Sequence, residues 1–298
     1  LPPLTTKTGE IVNAVYGFTS VLIKAIKEFR PEYVALTLDR KEKTFRHEQF
    51  KDYKATRVKA PDELYAQIPR VKEIAIGFNI PIYELPGFEA DDLIGTLANK
   101  VDGEVEKIIV TGDMDTMQLV NDHTKVFTMK RGLTDSMIYD EKAVRERYGL
   151  EPEQMIDFKA LRGDPSDNIP GVKGIGEKTA TELLQNFKTL DGVYKNIDSK
   201  KIKDRVRELL AQHKKDALMS KELATIKLDA PIEFDLSQAR FGGFNQEKLA
   251  KLFNELEFRS LLPRLQDLSE TAKKQLEKSA ITSGLINLKE IWNCLNMN

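Results

Sequence analysis

Cysteine is almost absent. The 298 residues hold one, Cys294, so no internal disulfide can form, and a reducing compartment, the cytoplasm, is the expected setting. Histidine is nearly as scarce. His47, His123 and His213 join no cysteine or serine constellation, and the Cys/His spacing of a zinc site is missing. No run of about 18 apolar residues exists to span a bilayer. The opening Leu1-Pro2-Pro3-Leu4 lacks the basic lead and apolar stretch of a signal peptide. A net charge of −1 offers no bulk attraction to nucleic acid, so any charge that matters must be segregated along the chain.

What is present is an ordinary globular composition, 41% hydrophobic and 31% charged. Residues 12–29 carry apolar positions at helical spacing, and Pro31 stops them. Residues 62–78 and 91–100 also read as helices. Residues 33–39 (YVALTLD) and 107–113 (KIIVTGD) are apolar runs that close on an aspartate, with a further candidate strand at 82–85. Strands alternating with helices predict an α/β unit over 1–150, a parallel sheet covered by helices on both faces. From 151 to 267 helices dominate around a glycine cluster. Residues 268–298 read as a linker or tail, followed by a weak amphipathic stretch containing Trp292.

Carboxylates collect where such sheets bind ligands, beyond the carboxyl ends of the strands. Asp39 and Asp113 sit there, Asp115 follows by two, Glu89, Asp91 and Asp92 open a helix, and Asp164 and Asp167 end the next helix. Any one acid at a helix start is an ordinary cap favoured by the helix dipole. Clusters at the ends of alternating elements are harder to explain that way. Like charges held together need a cation, and hard divalent ions such as Mg²⁺ take oxygen ligands of this kind. Two ions about 3.5–4 Å apart can hold the attacking and leaving oxygens of a phosphodiester.

The positive charge is segregated too. Residues 40–60 contain eight Lys or Arg and three acids, a net of +5, with Phe45, Phe50 and Tyr53 interleaved. Cations for phosphates and rings for bases suit a single strand, although a charge run by itself is more often a solvated loop. Residues 171–180 (GVKGIGEKTA) place Gly171, Gly174 and Gly176 beside Lys173, Lys178 and Thr179. With the helix expected at 153–161 this is a helix–hairpin–helix pattern, which grips DNA phosphates without reading bases.

The motifs NAVYGF (13–18), FRHEQFKDYKATR (45–57), PGFEADD (86–92), TGDMD (111–115), GDPSDNIPGVKGIGEKTA (163–180) and LEFRSLL (256–262) together resemble the 5′-nuclease, or flap endonuclease, family. The pattern is most like its branch in the 5′-3′ exonuclease domain of bacterial DNA polymerase I, and it covers roughly residues 1–267. The resemblance implies a PIN-like nuclease fold and cleavage of 5′ flaps and 5′ ends of DNA, RNA-primed strands included, in primer removal and repair. It implies two Mg²⁺ or Mn²⁺ ions. Asp39, Glu89, Asp91 and Asp92 would lie at the first metal region, Asp113 and Asp115 near both ions, and Asp164 and Asp167 at the second. Lys54 and Arg57 would be the catalytic pair on the scissile phosphate. Arg46 and Tyr53 would contact DNA in the arch at 40–60. The hairpin at 171–180 would bind duplex and hold K⁺ through backbone carbonyls. The expected partners are DNA and a DNA polymerase domain or protein, with no membrane, and the expected location is the cytoplasm at the nucleoid. Family members begin with a strand ending in Asp-Gly. This sequence starts past that point, so the first strand and one metal-site aspartate are expected to be missing. A binding module for DNA structures, without catalysis, is the alternative.

Overall fold

The structure is a computed structural model that describes residues 4–101, 103–131, 135–268 and 284–288. The expected alternation of strands and helices is found. It runs α1 (Asn13–Phe29), β1 (Tyr33–Thr37), α2 (Phe45–Gln49), α3 (Asp62–Tyr65), α4 (Ile68–Gly77), β2 (Ile82–Tyr83), α5 (Ala90–Lys100) and β3 (Glu106–Val110). An antiparallel hairpin of β4 (Thr124–Arg131) and β5 (Asp135–Tyr139) follows, then α6 (Glu141–Tyr148). The helical part comprises α7 (Met155–Arg162), α8 (Glu177–Phe187), α9 (Leu190–Lys195), α10 (Asp204–Gln212), α11 (Lys214–Ala224) and α12 (Gln246–Glu255). One more strand, β6 (Gly284–Leu288), comes from the segment expected to be a tail.

The sheet order is β2-β1-β6-β3-β4-β5. All neighbours are parallel except the β4–β5 pair at one edge. β6 lies between the two acid-tipped strands, with Val34 opposite Ile286 on one side and Ile108 opposite Ile286 on the other. β1 and β3 thus both find ladder partners in β6, a strand from the segment read as a linker or tail. Sequence pattern could not reveal this, because five residues of ordinary apolar character do not announce a strand. The stretch containing Trp292 lies outside the described residues.

Both acid-tipped strands are buried on both faces. Val34 and Leu36 of β1, with Ile108 and Val110 of β3, pack into one core with α1, α4 and α12. The intervening Ile109 points the other way, as the two-residue period of a strand requires, into a second core. That second core also holds Ile94 of α5 and Phe158, Leu161, Leu184 and Leu190 of the helical part. The helical lobe expected from 151 onward therefore shares a core with the sheet. α1 ends at Arg30, whose left-handed backbone (φ 47°) precedes Pro31. Among the described residues no helix is long and apolar enough to cross a membrane.

An interior strand carries ladder bonds on both sides. At this size each kcal/mol lost lowers Tm by about 2–4 °C. Deleting residues 269–298, and β6 with them, is expected to lower the melting temperature by about 10 °C or more, or to abolish cooperative unfolding. An unchanged melt followed by circular dichroism would show that β6 does not complete the sheet.

Candidate active site

Asp39 follows β1 and Glu89 precedes α5. They are brought together because Asp39 accepts the Ala90 N–H at 2.7 Å. Asp92, one turn into α5, is fully buried. Its Oδ1 accepts from Arg46 Nη2 (2.8 Å) and the Lys227 N–H (2.9 Å), and its Oδ2 from Arg46 Nη1 (2.7 Å) and the Glu89 N–H (3.0 Å). A carboxylate has about four lone-pair directions, and protein donors fill all four here. Asp92 is placed as an anchor, with nothing left to give an ion. Arg46, expected on DNA, is its buried counterpart, 3% exposed. It also donates to the carbonyls of Leu223 and Thr225 at 2.8 Å. Burial opposes its charge, but Asp92 and Glu89 outweigh that and raise its pKa. It ties the arch to α5 and to the end of α11.

The second acidic group forms beyond β3. Asp113 accepts the Asp115 N–H at 2.8 Å, a tight turn that starts a short 3-10 segment (Met114–Leu119). Asp164 stands at the end of α7, where Gly163 takes φ 77° and the Asp164 and Ile169 backbones close on each other at 2.8 Å. Lys159 of α7 bridges the two segments. Its ammonium donates to Asp164 Oδ2 at 2.6 Å and also to Asp115 Oδ1. Burial and the neighbouring Asp113 push the Asp115 carboxyl up to about 8, against the pull of Lys159. Burial also opposes ionisation of Asp164, but Lys159 and Ser166 hold that carboxyl at about 2. Positive charge is short at the Asp115 end of this bridge.

The third group couples the arch to Asp167. Tyr53 is buried, and its hydroxyl donates to Glu89 (3.2 Å) and Asp167 (3.1 Å). Lys54 reaches Glu89 at 2.7 Å, and Arg57 donates to Asp167. Lys54 has a left-handed backbone, φ 57°, with its N–H on the Asp167 carbonyl at 2.9 Å. A bulky residue in that conformation carries strain that its surroundings must hold, a condition concentrated at functional sites. Phe45 packs on Phe88 at 5.7 Å, beneath Arg46 and Lys227. The structure thus turns the aromatic ring of Tyr53 into protein and packs Phe45 on Phe88, while Lys51, Arg57 and Lys59 stay exposed. Asp91 is buried in the first turn of α5. Among the described residues no three carboxylates or imidazoles are grouped as a ready-made ion cage. The acids stand in neighbouring sets, each answered by a lysine or arginine.

At the glycine cluster, Gly171 (φ 60°) packs so tightly that a Cβ would lie 2.2 Å from the Gly163 nitrogen. Gly174 adopts φ 92° at the turn. α8 then starts at Gly176 with no side-chain cap, and Lys173, Gly174, Gly176 and Lys178 are exposed around it, with Thr179 half-buried. Exposed backbone donors and flanking lysines are what a phosphate needs.

Two family models match consecutive stretches of the chain, residues 1–247 together. The 5′-3′ exonuclease N-terminal resolvase-like domain matches residues 1–149, and the 5′-3′ exonuclease C-terminal SAM fold matches residues 150–247. The chain belongs to the 5′-3′ exonuclease family. It is 45% identical over 283 residues to DNA polymerase I of Bacillus caldotenax, across 95% of this chain and 32% of that protein. Against DNA polymerase I of Bacillus subtilis the identity is 44% over 275 residues, 92% of this chain and 31% of the relative. The chain therefore spans about a third of the length of these curated relatives. Among solved structures, its fold is similar to the bacteriophage T5 5′-exonuclease with bound zinc (TM-score 0.57, 21% identity, 87% of this chain and 91% of that one). It is also similar to the catalytic core of Rad2 in complex with DNA substrate (TM-score 0.53, 19% identity, 87% and 84%).

Within this exonuclease fold, Lys159 is the residue that sequence reasoning missed. The signal was a lysine among the buried Phe158, Ala160 and Leu161, five residues before Asp164. Arg46 gives the sharpest test of the structural assignment. Removing one partner of a buried ion pair costs about 3–5 kcal/mol. Arg46→Met is expected to lose stability on that scale in urea denaturation. A loss below about 1 kcal/mol would mean that Arg46 does not anchor the arch.

Proposed function

We propose that the chain is a structure-specific 5′-3′ exonuclease and flap endonuclease that hydrolyses DNA phosphodiesters with two divalent ions, Mg²⁺ or Mn²⁺. The observation that carries this reading is the bridging of Asp115 and Asp164 by Lys159 beside Asp113. Carboxylates from two separate segments, the turn after β3 and the end of α7, meet at that one ammonium, and positive charge is short at Asp115. The donor set is all carboxylate oxygen, which fits a hard cation. Asp113, Asp115 and Asp164 are the proposed holders of one ion. Asp39, Glu89, Asp91 and Asp167 are the proposed holders of the other, and Asp92 keeps its anchoring role. When bound, the ions supply Lewis acidity that activates water and neutralises the leaving oxygen.

The chain's own residues do the rest. Lys54 and Arg57, on the rim of the arch, turn from the carboxylates to the scissile phosphate and stabilise the charge that develops there. The start of α8, with Lys173 and Lys178, holds the duplex by its backbone. The left-handed turn at Gly171 and Gly174 is the proposed seat of K⁺. A single-stranded 5′ end meets the basic arch, which supports a flap or an RNA-primed 5′ end as substrate. The relatives' length supports a role beside a polymerase domain, with nucleoid DNA in the cytoplasm as the setting.

The test is a 5′-flapped duplex incubated with the chain in Mg²⁺ or in excess EDTA. Cleavage near the branch that stops with chelator is expected. Binding without cleavage in Mg²⁺ would identify a DNA-structure-binding module instead. Lys54→Ala is expected to slow the single-turnover rate by about 10²–10³, the usual loss for a donor to a developing oxyanion. An unchanged rate with weaker binding would remove Lys54 from the chemistry. Lys173→Ala with Lys178→Ala is expected to flatten the slope of log K against log salt by about 0.9 for each phosphate no longer neutralised. An unaltered slope would place the duplex elsewhere.

A further inference from the structure

Lys159 stands on a core helix, whereas Lys54 and Arg57 stand on the arch. Phe158, Ala160 and Leu161 bury α7 on both sides of it, so its backbone is held in the second core. Its side chain is only 12% exposed. The oxygens it holds belong to two different segments, the turn after β3 and the end of α7. Asp164 gives its other oxygen to the amide and hydroxyl of Ser166, at 2.9 and 2.6 Å. Oδ2, the oxygen on Lys159, is therefore the one Asp164 has left for an ion. Asp115 gives Lys159 its Oδ1, with Asp113 alongside. An ion held by Asp115 and Asp164 would need the oxygens that Lys159 now occupies. The ammonium and such an ion would therefore compete for the same two oxygens.

We propose that Lys159 is a tethered counter-cation of the divalent-ion site: it bridges Asp115 and Asp164 until an ion binds, competes with that ion, and turns away when displaced. The proposal rests on the two-ion reading above. The tether does two jobs. It keeps the carboxylates from driving the turn after β3 away from α7, and it sets the ion concentration at which the site fills. The displaced ammonium stays on α7, beside the newly formed site.

The full chain should be compared with Lys159→Met, Lys159→Gln and Lys159→Arg by Mn²⁺ titration calorimetry and by melting in EDTA and in Mn²⁺. Coupled binding events commonly change each other's affinity about 5–150-fold. The Met and Gln variants are expected to bind Mn²⁺ tighter by a factor in that range. They should melt lower than the parent in EDTA and gain more from Mn²⁺. Lys159→Arg keeps the charge and should bind Mn²⁺ no tighter than the parent. If Met does not fold in EDTA, the Gln variant gives the same reading. Parent binding with no tightening in either neutral variant overturns the counter-cation role and leaves the two-ion reading standing. A parent that binds no Mn²⁺ overturns both.

Discussion

Carboxylates brought together in a folded chain repel, and each must be answered by a cation. In this protein the answering cation usually comes from a different element. Arg46 of the arch answers Asp92 of α5, Lys54 and Arg57 answer Glu89 and Asp167, and Lys159 answers Asp115 across from Asp164. These pairs do more than balance charge. They fix the arch to the sheet and the sheet to the helical lobe at the one edge where the strands end. The apolar cores supply the bulk of the folding energy, and the second core already spans the sheet and the lobe. The ion pairs decide where the acidic ends lie relative to one another.

That division explains how much of the molecule was legible in the sequence. The apolar runs closing on Asp39 and Asp113 gave the acid-tipped strands, because burial on both faces leaves a continuous apolar signature. The helix at residues 12–29 and the glycine turn were legible for equally local reasons, an apolar period ended by proline and glycines at left-handed positions. Other features depend on partners far away in the chain. β6 is recognisable only from its place between β1 and β3. Arg46 looks like one more charge in a basic run, and only the fold shows it buried against Asp92. Lys159 looks like an ordinary helical lysine until Asp115, 44 residues earlier, is brought to it. Tyr53 followed the same course. A ring in a basic segment suggests base stacking, but here its hydroxyl is spent inside on Glu89 and Asp167.

The arch, site and hairpin can then be seen as one device. A neutral chain with segregated charge places the cations of its arch over its acids and leaves backbone donors at the start of α8. DNA phosphates and divalent ions together could take over both sets of interactions, the phosphates drawing Lys54 and Arg57 outward and the ions meeting the carboxylates they leave. Folded stability and catalytic competence would draw on the same carboxylates in turn.

The central claim is that these carboxylates serve chemistry and do not themselves grip DNA. Asp113→Asn tests it most directly, because Asp113 stands at the turn after β3, beside Asp115 and its Lys159 bridge. Cleavage of a 5′-flapped duplex should be followed in single turnover at saturating enzyme with Mg²⁺, and DNA affinity measured beside it. The account predicts that cleavage is lost while the dissociation constant stays close to the parent's. Cleavage at the parent rate would contradict it.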